Sequence, residues 1–229
     1  LVLMDDNFAT IVTAIEEGRN IYGNIQKFIR FLFSANLALV LLVIGGAAGA
    51  FWLNLREAGG GLLLPLTAMQ LLWINVITNG APAVALGFDK NSGVMRHGPR
   101  HPQAPLLDRV SLRFVFTAGI TQALVGGALL AILPQLGYSN PDVRGALFLY
   151  ATLSQLFYAY PARRLSVLPH FNGALHLAVG LGVGLQLLTI LLPNLRVVLG
   201  LEPPTFHLTL LAITAVLLTW AATHIYSRF

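Results

Sequence analysis

Cysteine is absent from the chain's 229 residues, which excludes disulfide bonds, thiolate metal ligands and any soft-metal site built on sulfur. Charge is scarce as well: 10% of residues are Asp, Glu, Lys or Arg, against about 25% in an ordinary soluble domain. That is too little charge to cover the surface of a soluble fold of this size. The carboxylates are Asp5, Asp6, Glu16, Glu17, Glu57, Asp89, Asp108, Asp142 and Glu202, and each falls in the N-terminal segment, in a connection or at the end of an apolar run. The sequence also lacks a phosphate-cradling glycine loop, a nucleophile elbow and a zinc signature. Tandem repeats and low-complexity tracts are missing too. The acidic opening "LVLMDDNFATIVTAIEEG" resembles neither a signal peptide nor a natural start, so the chain is expected to be a piece of a longer polypeptide.

What is present is apolar. Hydrophobic residues make up 56% and the mean hydropathy is +0.73, the composition of an integral membrane protein. Apolar runs are read at Phe31–Leu53, Leu62–Phe88, Leu112–Leu133, Ala146–Tyr160, Ala174–Leu192 and Phe206–Tyr226. Each approaches the roughly 20 helical residues that cross a hydrocarbon core of about 30 Å, except the fourth, which is short and is expected to end at Pro161. The predicted fold class is therefore an all-α membrane protein: a bundle of six transmembrane helices with a short cytoplasmic N-terminal stalk segment.

The net charge of +5 and pI near 10 would raise the question of nucleic acid in a soluble protein. The basic residues lie in short segments between apolar runs instead of an aromatic-interleaved patch, so no nucleic acid is expected as a partner. Arg19, Lys27 and Arg30 precede the first run; Lys90, Arg96, Arg100, Arg109 and Arg113 follow the second; Arg163 and Arg164 follow the fourth, and Arg228 closes the chain. Only Arg56, Arg144 and Arg196 lie on the other side. The positive-inside rule then places both termini and the 89–111 loop in the cytoplasm.

Ahead of the first run, "LVLM" is a short strand candidate, and Asp6 or Asn7 can cap a helix starting at Phe8. Phe8, Ile11, Val12 and Ile15 recur at helical spacing and need a surface to pack on. Beyond Gly18 the pattern resumes into the membrane as a stalk continuous with the first span. The loop with Pro99, Pro102 and Pro105 is expected to be an extended strap and not a helix.

Inside the runs the polar inventory consists of amides and hydroxyls, chiefly Asn36, Gln70, Asn75, Thr78, Asn79 and Gln155. Asn75, Thr78 and Asn79 stand at i, i+3 and i+4 and would share one α-helical face. Gly80 and Pro82 follow, and Pro82 has no N–H for the carbonyl of Thr78. A broken helix with free carbonyls beside amide oxygens is a set of hard oxygen ligands of the kind transporters place at membrane depth. The competing reading is interhelical hydrogen bonding, the commonest role of lone membrane amides and the better account of Gln70 and Gln155 taken singly. Gly45 with Gly49, and Gly180 with Gly184, have the spacing of helix-packing pairs. His176 and Gln186 read as hydrogen-bonded packing. His97, His101, His170, His207 and His224 read as loop or interface residues.

"LVLMDDNFATIVTAIEEGRNIYGNIQKFIRF" resembles the stretch leading from the phosphorylation domain of P-type cation-transporting ATPases into their fifth membrane helix. "LLWINVITNGAPAVALGF" resembles the sixth helix of the calcium-pump branch, and "MRHGPRHPQAPLLD" the proline-rich loop after it. The resemblance implies that residues 1–29 are the end of the phosphorylation domain and a stalk helix, and that 30–229 form helices five to ten of a ten-helix pump. Mg²⁺, ATP and the phosphorylated aspartate would then belong to the upstream part, with the chain holding no cofactor and being inactive alone. Its partners would be that upstream part, with its actuator, nucleotide and phosphorylation domains and first four helices, together with the lipid bilayer. The implied location is the plasma (inner) membrane.

Residue by residue, the resemblance makes Asn36, Asn75 and Thr78 cation ligands. It puts Leu39, Asn79 and Gln155 where the branch carries carboxylates. An all-neutral oxygen set draws less affinity for a divalent ion, so the transported ion is expected to be monovalent, or one of two divalent sites to be lost, with calcium still open. The other functional class is a stand-alone six-helix remnant with a structural or partner-binding role and no transport of its own.

Overall fold

The computed structural model describes residues 8–57, 59–91, 93–96, 98, 103–163 and 171–226. The expected strand at Leu1–Met4, the caps at Asp6 or Asn7, and His97, His101, His170 and Arg164 lie outside the described residues.

The first helix, α1 (Phe8–Trp52), runs 45 residues without interruption through Gly18. At 1.5 Å per residue it is roughly 68 Å long, about twice a hydrocarbon core, so its N-terminal half stands clear of the membrane. There Phe8, Val12 and Ile15 are exposed, so the apolar face of the stalk finds no cover among the described residues.

The second span begins later than the apolar run suggested. Residues 62–67 are not helical, Arg56 and Leu62 form an isolated antiparallel bridge, and α2 (Ala68–Leu72) starts at a capping box in which the Thr67 hydroxyl accepts from the Gln70 N–H while the Gln70 side chain accepts from the Thr67 N–H. A π-helical turn, Trp73–Thr78, then leads through Asn79 into α3 (Gly80–Gly87). The break is thus upstream of Pro82. That proline sits in the first turn of α3, where a missing N–H costs little because the first helical N–H groups have no intrahelical partner.

In the proline-rich connection the described residues include a 3₁₀ turn, Val94–Arg96, while Pro99 and Pro102 of the expected strap lie outside the described residues. Asp108 accepts from the Ser111 N–H to start α4 (Arg109–Gln135). Ser139 and Asp142 bond reciprocally at the start of α5 (Asn140–Arg163). Pro161 does not end that helix: it lies in the last turn, and α5 continues to Arg163. Asn172 caps α6 (Gly173–Leu191). A seven-residue helix, α7 (Pro193–Leu199), closes at Gly200 in the left-handed region at φ 61°, and α8 (Phe206–Tyr226) ends the described chain.

Five of these segments, Phe8–Trp52, Ala68–Gly87, Arg109–Gln135, Gly173–Leu191 and Phe206–Ile225, are long and apolar enough to cross a membrane. α5 has the length, 24 residues, but is more polar because it is the central helix and meets protein instead of lipid. Its residues enter every buried cluster: Leu147, Phe148 and Ala151 with Leu42 and Leu130; Leu156, Tyr158 and Ala162 with Phe31 and Ala178; Leu149 and Tyr150 with Ala212 and Val216. The molecule is an all-α membrane bundle.

The glycines that permit close helix approach differ from the expected pairs. A Cβ at Gly45, Gly49, Gly180 or Gly184 would meet nothing within 4 Å. One at Gly126 would lie 2.7 Å from Leu42, one at Gly182 2.5 Å from Leu156, and one at Gly46 would collide with Pro65. Four-residue spacing marks a face but does not say whether that face points inward.

Candidate functional site

Asn75, Thr78 and Asn79 lie on a wide i→i+5 turn, closed by the Asn79 N–H on the Ile74 carbonyl at 3.0 Å. Thr78 and Asn79 are 2% and 1% exposed, whereas Asn75 lies on the exposed side. Asn36, beside the buried Ala35 on α1, is exposed too.

At the centre, Asn79 Nδ2 donates to Gln155 Oε1 at 2.7 Å, and Gln155 Nε2 donates to the Ala35 carbonyl at 3.2 Å. This chain of bonds ties the π turn to α5 and to α1 at the level of Asn36. Gln155 is fully buried. Asn79 Oδ1 is buried with no hydrogen-bond partner, a lone pair held ready in apolar surroundings. Such a group costs about 1–3 kcal/mol when unsatisfied, and Gln122 Oε1 and Gln186 Oε1 are buried without a partner in the same way. Pro82 has no N–H for the Thr78 carbonyl, and the next N–H, that of Ala83, goes to Asn79 at 3.1 Å. Amide and carbonyl oxygens therefore gather at the turn, the chemistry of a hard-cation site. The structure brings together Thr78, Asn79 and Gln155 and leaves Asn36 and Asn75 on the outer face of the same helices.

Gln70 has a structural part: besides the capping box, its Nε2 donates to the Leu199 carbonyl at 3.0 Å. A second polar network goes beyond the sequence inventory. Gln122 on α4 donates to Ser154 Oγ, the Tyr150 hydroxyl donates to the Gln122 carbonyl at 3.0 Å, and Tyr150 and Thr219 of α8 share a bond at 2.9 Å. A lone Gln within an apolar run was the available signal. The His176 ring meets the Tyr160 hydroxyl at 3.0 Å. Gln186 is 2% exposed, with its Oε1 buried and unpartnered.

Sequence reasoning also missed a buried charge cluster at the far end of α3. Asp89, expected as a loop residue, is 4% exposed. Its Oδ2 accepts from Lys27 Nζ and from Arg163 Nε, both at 2.6 Å, and its Oδ1 accepts from Asn172 Nδ2 at 3.0 Å. Burial by itself raises the Asp89 carboxyl, but the hydrogen bonds from Arg163 and Lys27 outweigh it and hold the group below its ordinary value. The carboxylate is therefore ionised at neutral pH. Arg30, one helical turn on from Lys27, donates to Ser111 Oγ and to the Ala162 carbonyl. Among the described residues, no group of three or more His, Asp or Glu side chains is placed to hold a metal ion, and the oxygens these residues bring to the turn are neutral.

A family model described as "Cation transporting ATPase, C-terminus" matches residues 63–229. The chain is 38% identical over 168 residues to a calcium-transporting ATPase of Bacillus subtilis (strain 168), a match covering 71% of this chain and 17% of that protein. The chain thus spans about 17% of the length of the relative it matches.

Proposed function

The chain belongs to the P-type cation-transporting ATPases of the calcium-pump type, as their C-terminal membrane region, and on that premise we propose that it supplies part of the ion-binding site and translocation path of an ATP-driven cation pump. The observation that carries this reading is the buried Asn79–Gln155 pair beside the π turn, with Asn79 Oδ1 left unpartnered. Asn36 and Asn75 extend the site on the face of α1 and the π turn that this chain leaves open. The upstream helices of the same pump cover that face, and its cytoplasmic domains use Mg²⁺ and ATP. Residues 1–29 form the end of the phosphorylation domain and the stalk; residues 30–229 form the transport domain, with both termini cytoplasmic in the plasma (inner) membrane.

The ion is constrained by charge. Asn79, Gln155, Thr78, Asn75 and Asn36 offer oxygen without formal charge, and divalent affinity rises with the number of charged ligands. The pump therefore moves a monovalent cation, or keeps a single divalent site charged from the upstream part. The named activity of the Bacillus relative favours calcium for that single site.

The test is made on the full-length pump. Asn79→Asp raises the apparent affinity for Ca²⁺ in cation-stimulated ATP hydrolysis, and Thr78→Ala lowers the affinity for whichever cation stimulates. Unchanged affinity in both variants removes the site from this position.

A further inference from the structure

The buried cluster around Asp89 has no part in holding a cation at the π turn, yet it closes the other end of the same helix. Three elements converge on the C-terminus of α3. From α1, Lys27 pairs with the Asp89 carboxylate, and Asn24 Nδ2 donates to the Gly87 and Asp89 carbonyls at 3.0 and 2.7 Å. From α5, Arg163 pairs with Asp89. From the start of α6, Asn172 donates to the Asp89 carboxylate and to the Ala85 carbonyl at 3.0 and 3.3 Å. The last carbonyls of a helix have no intrahelical donors; those of Ala85 and Gly87 in α3 are met by side chains of its neighbours. Asn91 extends the contact by donating to Asn24 Oδ1 at 2.9 Å and to the Asn20 carbonyl at 3.2 Å.

The two ends of the segment therefore differ mechanically. The cytoplasmic end of α3 is bound to the long helix α1 by an ion pair and side-chain hydrogen bonds, all buried or nearly so. The other end, about 15 Å away by helical rise, is a π turn, the kind of irregular turn that absorbs a change of register. α1 reaches from well outside the membrane to Ala35, whose carbonyl receives Gln155. Axial or tilting motion of α1 is thus carried into α3 at Asp89 and taken up at the turn holding Asn79.

Resting on the pump reading above, we infer that Asp89, with Lys27 and Asn24, is the joint through which movement of the stalk part of α1 repositions the ion-binding turn. Asp89 is a positioning residue; it touches no transported ion.

The experiment uses the full-length pump in sealed proteoliposomes, with Ca²⁺ uptake and ATP hydrolysis measured on the same preparation. A merely structural defect removes active molecules and lowers both in proportion, leaving ions moved per ATP unchanged. Loss of the joint lowers the ratio itself. In Asp89→Asn the ratio falls about two- to tenfold, the equilibrium worth of a side-chain hydrogen bond, while phosphorylation by ATP persists. Asp89→Asn removes the carboxylate that Lys27 and Arg163 share; where that variant does not fold, the uncharged Asn24→Ala decides, with the same direction expected. A wild-type ratio in the deciding variant overturns the joint. If the wild-type pump hydrolyses ATP in response to Mn²⁺, Na⁺ or K⁺ instead of Ca²⁺, the ratio is read with that cation. No stimulation of the wild type by any of the four defeats the pump reading, and the joint with it, before a variant is made.

Discussion

The two ends of α3 hold buried polar groups by opposite means. At the π turn, Asn79, Thr78 and Gln155 are neutral, and one oxygen is left open. At Asp89, full charges are buried, and both carboxylate oxygens accept hydrogen bonds. The difference follows from the cost of burial. A charge in apolar surroundings is tolerated only when closely paired, and its pairing leaves nothing over for a ligand. A neutral amide can be buried with a lone pair unspent at a cost of a few kcal/mol. A site that must admit and release an ion suits the second arrangement, and a joint that must not slip suits the first.

The largest effect that would sharpen this comparison is expected from Asp89→Ala. It strands Lys27, 3% exposed at its side chain, takes one partner from the Arg163 side chain, 9% exposed, and is expected to destabilise the protein by about 3–5 kcal/mol, read as thermal unfolding in detergent. A loss under about 1 kcal/mol would place the cluster among ordinary surface pairs.

Acid reaches the same carboxylate without mutation. Its pKa is held below the ordinary 3.8, so its contribution to stability is complete above that value and is lost as pH falls through the lower, folded-state pKa. Melting curves from roughly pH 7 to roughly pH 5 should show no contribution from Asp89, with the loss confined to stronger acid. A wild-type transition near pH 6 that disappears in Asp89→Asn would contradict the pairing.

At the neutral end, Asn79→Leu removes one membrane hydrogen bond and is expected to cost about 1 kcal/mol, yet to abolish cation stimulation of ATP hydrolysis in the full-length pump. Equal loss of folding and stimulation would break the contrast between the ends. The smallest expected effect on stability is that of Asn75→Ala, within about 0.5 kcal/mol because the residue lies on the exposed face. Its cation affinity should still fall in the full-length pump, where upstream helices cover that face.

Much of the bundle was legible because apolar runs are local. The sixth run coincides with α8, and the third lies within α4. The fourth run was the poorest guide: α5 packs on protein along its length, so it need not be apolar, and Pro161 in its last turn ends nothing. The candidate site was legible in kind but not in shape. Asn79 and Gln155 meet, while Asn75 lies on the exposed side of the π turn.

Composition and periodicity alone determined that this chain crosses a membrane as helices and carries its interior polarity on amides and hydroxyls, because hydropathy and hydrogen-bonding capacity belong to each residue wherever it lies. Tertiary structure alone decided which amide faces inward, that Asp89 leaves the loop to bind three helices, and that Gly126 and Gly182 rather than Gly45 and Gly180 let helices approach. Those outcomes depend on the rotation of one helix against another. A single turn widened by one residue resets that rotation, and no local spacing in the sequence records it.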